Sequence, residues 1–471
     1  MRRHTAGGAI VTIEDISQDF GKYIAGCRYE DLPPEAIEKA KMGILDLLGV
    51  ILAAGGTVPA ILGVMNVVRQ NGGEPRCTVL GFGDRTSPLM AAFANGSMAH
   101  CLDFDDVAPD GNHASSSLIP AAIAAAEHRG GVDGKQLITA VAIGQDIFLR
   151  LRRSLNHQRL DWLTTTVFGA FSATAAASKA LGLSAAQCSN ALGIASLGCC
   201  GTLEMRFGTG SDLGELYAGF VAKTGVLSAM LAEQGTTGLQ RVFEGQAGIM
   251  PVYFQNDFNR ARAVAGLGSV FGGASMQFKP WPVCGIANTY IYAVLKLIEE
   301  HRLGPADIVE LRAYVGDFQQ RMSYPVEERR RPKMSMDARF SLPFTLGAAA
   351  AYGAVRIEHF TQAGLRDPRI LAMADRVVPV DDSAFDWTGA MPDAKVEIVT
   401  ADGRTLEGRG GAETPGNTGN PMEWDHLAQK FAECAAVAPR PLSRETVDSA
   451  VAMAQGLESC EDAMDLVRLL G

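Results

Sequence analysis

The 471-residue chain lacks a CxxC pair, any metal-ligand spacing and any regular disulfide framework among its nine cysteines, an odd number. Reduced thiols in a cytoplasmic protein are the simplest account of them. Basic clusters are equally scarce: the net charge is −10, and the only basic run, Arg329-Arg330-Arg331 with Lys333, stands beside Glu327 and Glu328. Binding nucleic acid depends on clustered Lys and Arg to neutralise phosphates, so no nucleic-acid partner is predicted. If the substrate is anionic, the attraction must be local. No apolar run reaches the length of a bilayer span, and the opening MRRHTAGGAIVTIED has basic residues without the apolar core of a signal peptide. The expectation is a cytoplasmic protein with no membrane partner. Internal repeats and low-complexity tracts are also missing.

What is present describes an ordinary folded protein: 47% hydrophobic residues, 20% charged and 52 glycines. The length predicts two domains, or three. Pro33-Pro34 opens a helical pattern over Glu35–Ala53 that should stop at Gly55-Gly56, and further helices are predicted over Leu89–Cys101, Leu118–His128, Lys135–Leu151, Phe168–Leu181, Ala185–Leu197 and Tyr217–Glu233. Many are alanine-rich and apolar nearly all round, which predicts close mutual burial. After Met276 the composition changes. Asp307–Val315, Arg376–Val380 and Lys395–Thr400 alternate like strands, and Asp402-Gly403 signals a hairpin, with helical runs at Ile286–His301 and Leu342–Tyr352. Met422–Val437 and Arg444–Leu470 are helical again, and their apolar stripes need a helical partner. The predicted fold is mainly α: a large all-α domain from 1–269 and 411–471, with a smaller α+β domain inserted at 270–410.

Chemistry concentrates in His100–Pro120, HCLDFDDVAPDGNHASSSLIP, which holds Asp103, Asp105, Asp106, His100 and His113 between two apolar segments. If the preceding helix continues, Asp103 and Asp106 share a face and Asp105 points elsewhere. The functional reading is a general base, or an anchor that orients one, with His113 as its acid-base partner. The plainer reading is a helix end followed by a solvated acidic turn. The spacing fits neither a calcium loop nor a zinc motif, so no metal is predicted.

Two further stretches are candidates. Glu204–Asp212 (EMRFGTGSD) precedes a predicted helix, where backbone N–H groups and Arg206 suit a carboxylate, although the local pattern favours an ordinary capped loop with Ser211 or Asp212 near the N-cap. Lys279-Pro280-Trp281-Pro282-Val283-Cys284 lies at the domain junction, a common place for ligands, though a lysine is more often a surface charge and a cysteine a small core residue. Arg150, Arg152 and Arg153 suit a helix C-terminus. Arg339, in DARFSLPF, reads most simply as a surface charge.

Taken together, GILDLLGVILAAGG, ANGSMAHCLDFDDV, NHASSSLIPAAIAAAE, TTTVFGAFSATAAASKALGLSAAQCSNALGIA, AKTGVLSAMLAEQGTTGLQRVFEG, FKPWPVCG and DARFSLPF resemble the MmgE/PrpD family of dehydratases, decarboxylases and epimerases. The resemblance implies a helical domain built from both termini, an inserted α+β lid, a homodimer, no organic cofactor and a small di- or tricarboxylic acid as substrate. By motif, Asp103 matches the first aspartate of the family's DFDD, His113 the histidine ten residues later and Lys279 the lysine of KP-x-P. Decarboxylase-like members carry a histidine five residues after that lysine, where this chain has Cys284, as many members do. Their K-x-x-H ahead of a helix is here Gly214-Glu215-Leu216-Tyr217; the threonine often following DFDD is Val107, and a histidine near the end of another helix is Arg153.

The resulting expectation is a dehydratase-like or decarboxylase-like lyase. His113 would transfer the proton, having an ordinary pKa nearest neutrality, with Asp103 orienting it or sharing the work. Lys279, Arg206, Asp212, Arg153 and Arg339 are the candidate substrate contacts. An epimerase or isomerase is the alternative; it requires a second acid-base group, for which Tyr217 and Cys284 are available. A non-catalytic carboxylate-binding relative is the third reading.

Overall fold

The computed structural model describes residues 14–156, 161–207, 210–389 and 391–471, and of residues 206 and 207 only the backbone. The chain is mainly α-helical, with small sheets. Its longest helix, Pro34–Thr57, begins with proline in the first turn, where a fixed φ and a missing N–H cost nothing. It does not stop at Gly55-Gly56. A Cβ on Gly56 would stand 1.9 Å from the Val437 carbonyl oxygen, so the glycines admit the C-terminal segment against an unbroken helix. By length and composition this helix is apolar enough to cross a membrane, contrary to the reading above, and 83% of that stretch is buried inside the fold.

Pro88–His100, Ser115–Arg129 and Gly134–Ser154 pack against it, and Thr164–Leu181 and Leu213–Glu233 pack on those helices in turn. Small residues let their backbones approach: a Cβ on Gly96 would lie 2.9 Å from the Ala218 carbonyl oxygen. Trp424–Ala436 lies along Pro34–Thr57. The run expected as Arg444–Leu470 divides into Arg444–Gln455 and Met464–Leu470, because the chain between them hydrogen-bonds with the turn before Gly134–Ser154, Gly134 N–H to Cys460 O and Ala463 N–H to Val132 O. One apolar core therefore draws on Ile16 to Phe278 and on Met422 to Leu470.

A separate core runs from Val283 to Ile398. It covers a four-stranded sheet in which Ile308–Val315 pairs in parallel with Val377–Asp381 and antiparallel with Ala394–Thr400, which pairs in turn with Thr405–Gly410. Ala394–Thr400 alternates buried and half-buried residues, and Asp402-Gly403 closes its hairpin with Gly403 at φ 86°. Gly285–His301 packs on the sheet, and Leu342–Tyr352 packs on Gly285–His301. The chain passes from the first core to the second at Lys279-Pro280-Trp281-Pro282.

Candidate active site

The helix Pro88–His100 ends before the aspartates, so Asp103 and Asp106 share no helical face. Asp103 turns the chain at φ 46°, the left-handed region that costs a side-chain-bearing residue about 1 kcal/mol. Lys279 holds that turn. Its Nζ donates to the Asp103 carbonyl at 2.9 Å, to Asp103 Oδ1 at 2.5 Å and to the Val283 carbonyl at 3.3 Å. Both residues are buried.

The turn sends Asp105 inward between two histidines. His100 Nδ1 lies 3.0 Å from Asp105 Oδ1, and His113 Nδ1 lies 3.0 Å from Asp105 Oδ2 and 3.1 Å from the Asp106 carbonyl. A carboxylate and a carbonyl can only accept, so both Nδ1 atoms carry protons, and in the neutral form of the ring the His113 Nε2 is left bare. That Nε2 stands 3.4 Å from Asp103 Oδ1. Burial, with Lys279 and His100 adding to it, pushes the His113 imidazole down to about 4 against the pull of Asp105. Burial raises Asp105, but the two imidazoles outweigh it and hold its carboxyl well below the usual range. Asp105, expected to point away, is thus the anchor. His100 was not selected from the sequence, although it opens the same segment five residues before Asp105.

Asp106 faces the other way. Its Oδ2 lies 2.5 Å from Ser115 Oγ, which accepts from Gln145 Nε2 at 3.0 Å, and its Oδ1 has no hydrogen-bond partner among the described residues. Burial, reinforced by Asp105 and Asp46 and opposed by Ser115, pushes it up to about 8. Burial thus favours its neutral acid form near neutral pH.

The remaining candidates divide. Arg339 is no surface charge: it is 1% exposed, donates from one guanidinium nitrogen to the Pro282 carbonyl at 3.0 Å and stacks 4.8 Å from the Phe360 ring, while its Nε has no hydrogen-bond partner among the described residues. Burial lowers it to about 10 against the pull of Glu215 and Asp103, so it stays cationic at neutral pH. Glu215, at the altered K-x-x-H, is pushed up to about 7 by burial, with Asp212 and Asp337 adding and Arg339 opposing. The buried Tyr217 ring packs 4.7 Å from His100, which itself lies 4.6 Å edge-to-face from His113. Cys284 is buried ahead of Gly285–His301 and its backbone N–H donates to the Arg339 carbonyl. Asp103, His113, Lys279, Tyr217, Cys284 and Arg339 therefore stand in one buried region joining the two cores.

Arg153 and Asp212 are exposed. Arg153 donates to Ser275 Oγ at 3.0 Å and lines a cavity of about 350 Å³ with Arg152 and Asp110. Asp212 precedes Leu213–Glu233 without a side-chain capping bond. The Arg206 side chain lies outside the described residues, as do residues 208 and 209. Arg150 does more than suit a helix end, for its guanidinium pairs with Asp146 at 2.6 Å and donates to four carbonyls. One ligand-type atom from each of His100, Asp103, Asp105 and His113 lies within 4.8 Å of the others. Asp105 already serves both imidazoles and Asp103 already carries an ammonium, so an entering cation would have to displace Lys279.

Residues 18–261 match the MmgE/PrpD N-terminal domain and residues 281–452 the MmgE/PrpD C-terminal domain. The chain belongs to the MmgE/PrpD family. Similar MmgE/PrpD proteins include the cis-aconitate decarboxylase of Homo sapiens, 26% identical over 97% of this chain and 95% of the human protein. Another is the cis-aconitate decarboxylase of Aspergillus terreus, 25% identical over 85% of both chains. The cis-aconitate decarboxylase-like protein oryM of Aspergillus oryzae is 24% identical over 97% of both chains. The relatives support a lyase-type function at the level of the family.

Proposed function

We propose that the protein is a lyase of a small di- or tricarboxylic acid that works by proton transfer next to a carboxylate, without an organic cofactor. The observation that carries this reading is the buried His113, clamped through Nδ1 by Asp105 with its Nε2 set beside the Asp103–Lys279 pair. In this reading, for loss of water, His113 Nε2 removes the proton alpha to a carboxylate, and the freed electron pair forms the C=C bond as the β-hydroxyl leaves. The imidazolium gives its proton to that hydroxyl as water, and Asp105 stabilises the imidazolium meanwhile. Lys279 and Arg339 offset the negative charge that builds on the substrate, in a site dry enough to make such charges count. Asp103 holds Lys279 in place until substrate shares its ammonium. The part built on the second core acts as the lid, in a cytoplasmic homodimer.

A second reading, epimerisation, is favoured by one observation. Cys284 stands buried five residues after Lys279, where decarboxylase-like members carry a histidine, and Tyr217 replaces another histidine beside His100. Proton NMR of a panel of di- and tricarboxylic acids in deuterated water, beginning with cis-aconitate, separates the readings. Loss of water or carbon dioxide from one acid is expected. Exchange with inversion and no loss favours epimerisation; ligand-induced thermal stabilisation with no turnover of any acid leaves only a binding protein.

A further inference from the structure

Lys430 lies on the last long helix but one, Trp424–Ala436, far in sequence from the aspartates, and is 5% exposed. Its ammonium makes two hydrogen bonds and one ion pair inside the protein. It donates to the Phe104 carbonyl at 2.7 Å and to the Lys279 carbonyl at 3.1 Å, and it ion-pairs with Asp46 Oδ1 at 2.6 Å. Neither Asp46 oxygen has a hydrogen-bond donor among the described residues; burial pushes its carboxyl up and Lys430 is the first charge that opposes the shift. The Phe104 ring closes the site, 3.7 Å from Nζ.

The two carbonyls matter more than the charge. Phe104 O belongs to the residue between Asp103 and Asp105, and Lys279 O to the lysine whose side chain binds Asp103. Lys279 and Lys430 therefore take the consecutive carbonyls of residues 103 and 104, one ammonium on each, at the point where the backbone turns left-handed. A strained turn of this kind persists only where its surroundings fix it. Releasing Phe104 O frees the loop that aims Asp105 at both imidazoles, and releasing Lys279 O frees the main chain behind the ammonium.

We propose that Lys430 is a positioning residue of the active site, locking the Asp103–Asp105 turn to the Lys279 backbone from behind, with Asp46 as its counter-ion. This role rests on His113 being the proton-transferring group, and it explains why the C-terminal helices return to the first core. Lys430 touches no reacting atom; it sets the separation between those that do.

The test uses Lys430→Met combined with Asp46→Asn, which removes the three-way anchor without leaving an unpaired buried charge. Nitrogen-15 NMR of the histidine imidazoles needs no substrate and reads the clamp directly, since the unsubstituted chain should show a protonated Nδ1 and a bare Nε2 at His113. The double variant is expected to fold, to give averaged His113 nitrogen signals and to lose turnover by ~10–100-fold in kcat with a smaller change in KM, as expected when reacting groups shift by an ångström or less. Unchanged His113 signals in a folded double variant would overturn the proposal. If it does not fold, Lys430→Gln with Asp46→Asn, which returns one donor, is read in the same way; failure of both to fold would make Lys430 a folding residue and overturn the positioning role. Absence of turnover in the unsubstituted chain bears on the proposed reaction alone, because the NMR signature remains.

Discussion

Asp105 accepts from the Nδ1 of His113 at 3.0 Å while its other oxygen accepts from His100, so one buried carboxylate fixes the tautomer of two imidazoles. The arrangement settles which nitrogen of His113 faces the Asp103–Lys279 pair and keeps that nitrogen free of a proton near neutral pH. A base buried in this way avoids the competition with water that a surface histidine meets, and its partner carboxylate stabilises the charged form only once a proton arrives.

Replacing His113 by Ala should lower turnover at least ~100-fold, the usual contribution of a positioned acid-base group. Circular dichroism should remain native, because Asp105 keeps its bond to His100 and the loop keeps both lysine anchors. Near-normal turnover would remove His113 from the mechanism.

Asp105→Asn tests the clamp itself. An amide offers one accepting oxygen to two Nδ1–H donors and turns an N–H toward one of them, so one imidazole must switch tautomer or lose its bond. Hydrogen bonds to a charged group contribute about 1.5–3 kcal/mol each, and the substitution should cost roughly 2–4 kcal/mol by urea denaturation. Turnover should fall by at least ~100-fold. Full activity with an unchanged His113 nitrogen spectrum would show that the tautomer is held by something else.

Much of the fold was legible because its signals are local. Leu342–Tyr352 forms as read, the three strands lie within a residue or two of their alternating runs, and Asp402-Gly403 makes its hairpin. The site was legible only in part. Asp103, His113 and Lys279 were marked by motif, and the chain does bring them together. Asp105 was misjudged because its direction depends on a left-handed turn at Asp103, which helical periodicity cannot foretell. Arg339 reads as a surface charge in the sequence because guanidinium groups are rarely buried, and its burial arises from packing against Phe360 and residues near Pro282. Lys430 was unreadable from pattern alone, since its partner Phe104 lies 326 residues earlier.

Gly56 gives a stability test of a different misreading. The pair Gly55-Gly56 reads as a helix stop, yet the helix continues to Thr57 because the Val437 carbonyl passes where a Cβ would be, at 1.9 Å. Gly56→Ala raises helix propensity by about 1 kcal/mol but drives a methyl into backbone, and overpacking typically costs about 1–3 kcal/mol. The clash should win, because a backbone oxygen cannot rotate away as a side chain can. A lower Tm is expected; a higher one would mean that the C-terminal segment yields freely.

The buried acid Asp106 makes stability depend on pH in a predictable sense. Its folded pKa, about 8, is raised above the ordinary carboxylate value. Between about pH 4 and 8 the unfolded chain has therefore given up a proton that the native chain retains, and stability contributed by the neutral acid is lost as pH rises through that window. His113 acts oppositely: its folded value, about 4, lies below the ordinary value for histidine, so its contribution is present above about pH 6.5 and is lost as pH falls toward 4. The two effects overlap in the acid range and partly offset one another there, but above about pH 6.5 only Asp106 of these two still titrates. Asp106→Asn, which preserves a partner for Ser115, should therefore gain stability relative to the unsubstituted chain as pH is raised from 6.5 to 8, by at least ~1 kcal/mol in denaturant midpoints converted at a common m-value. A constant difference across that range would show that Asp106 is ionised in the folded protein and that a counter-charge offsets its burial.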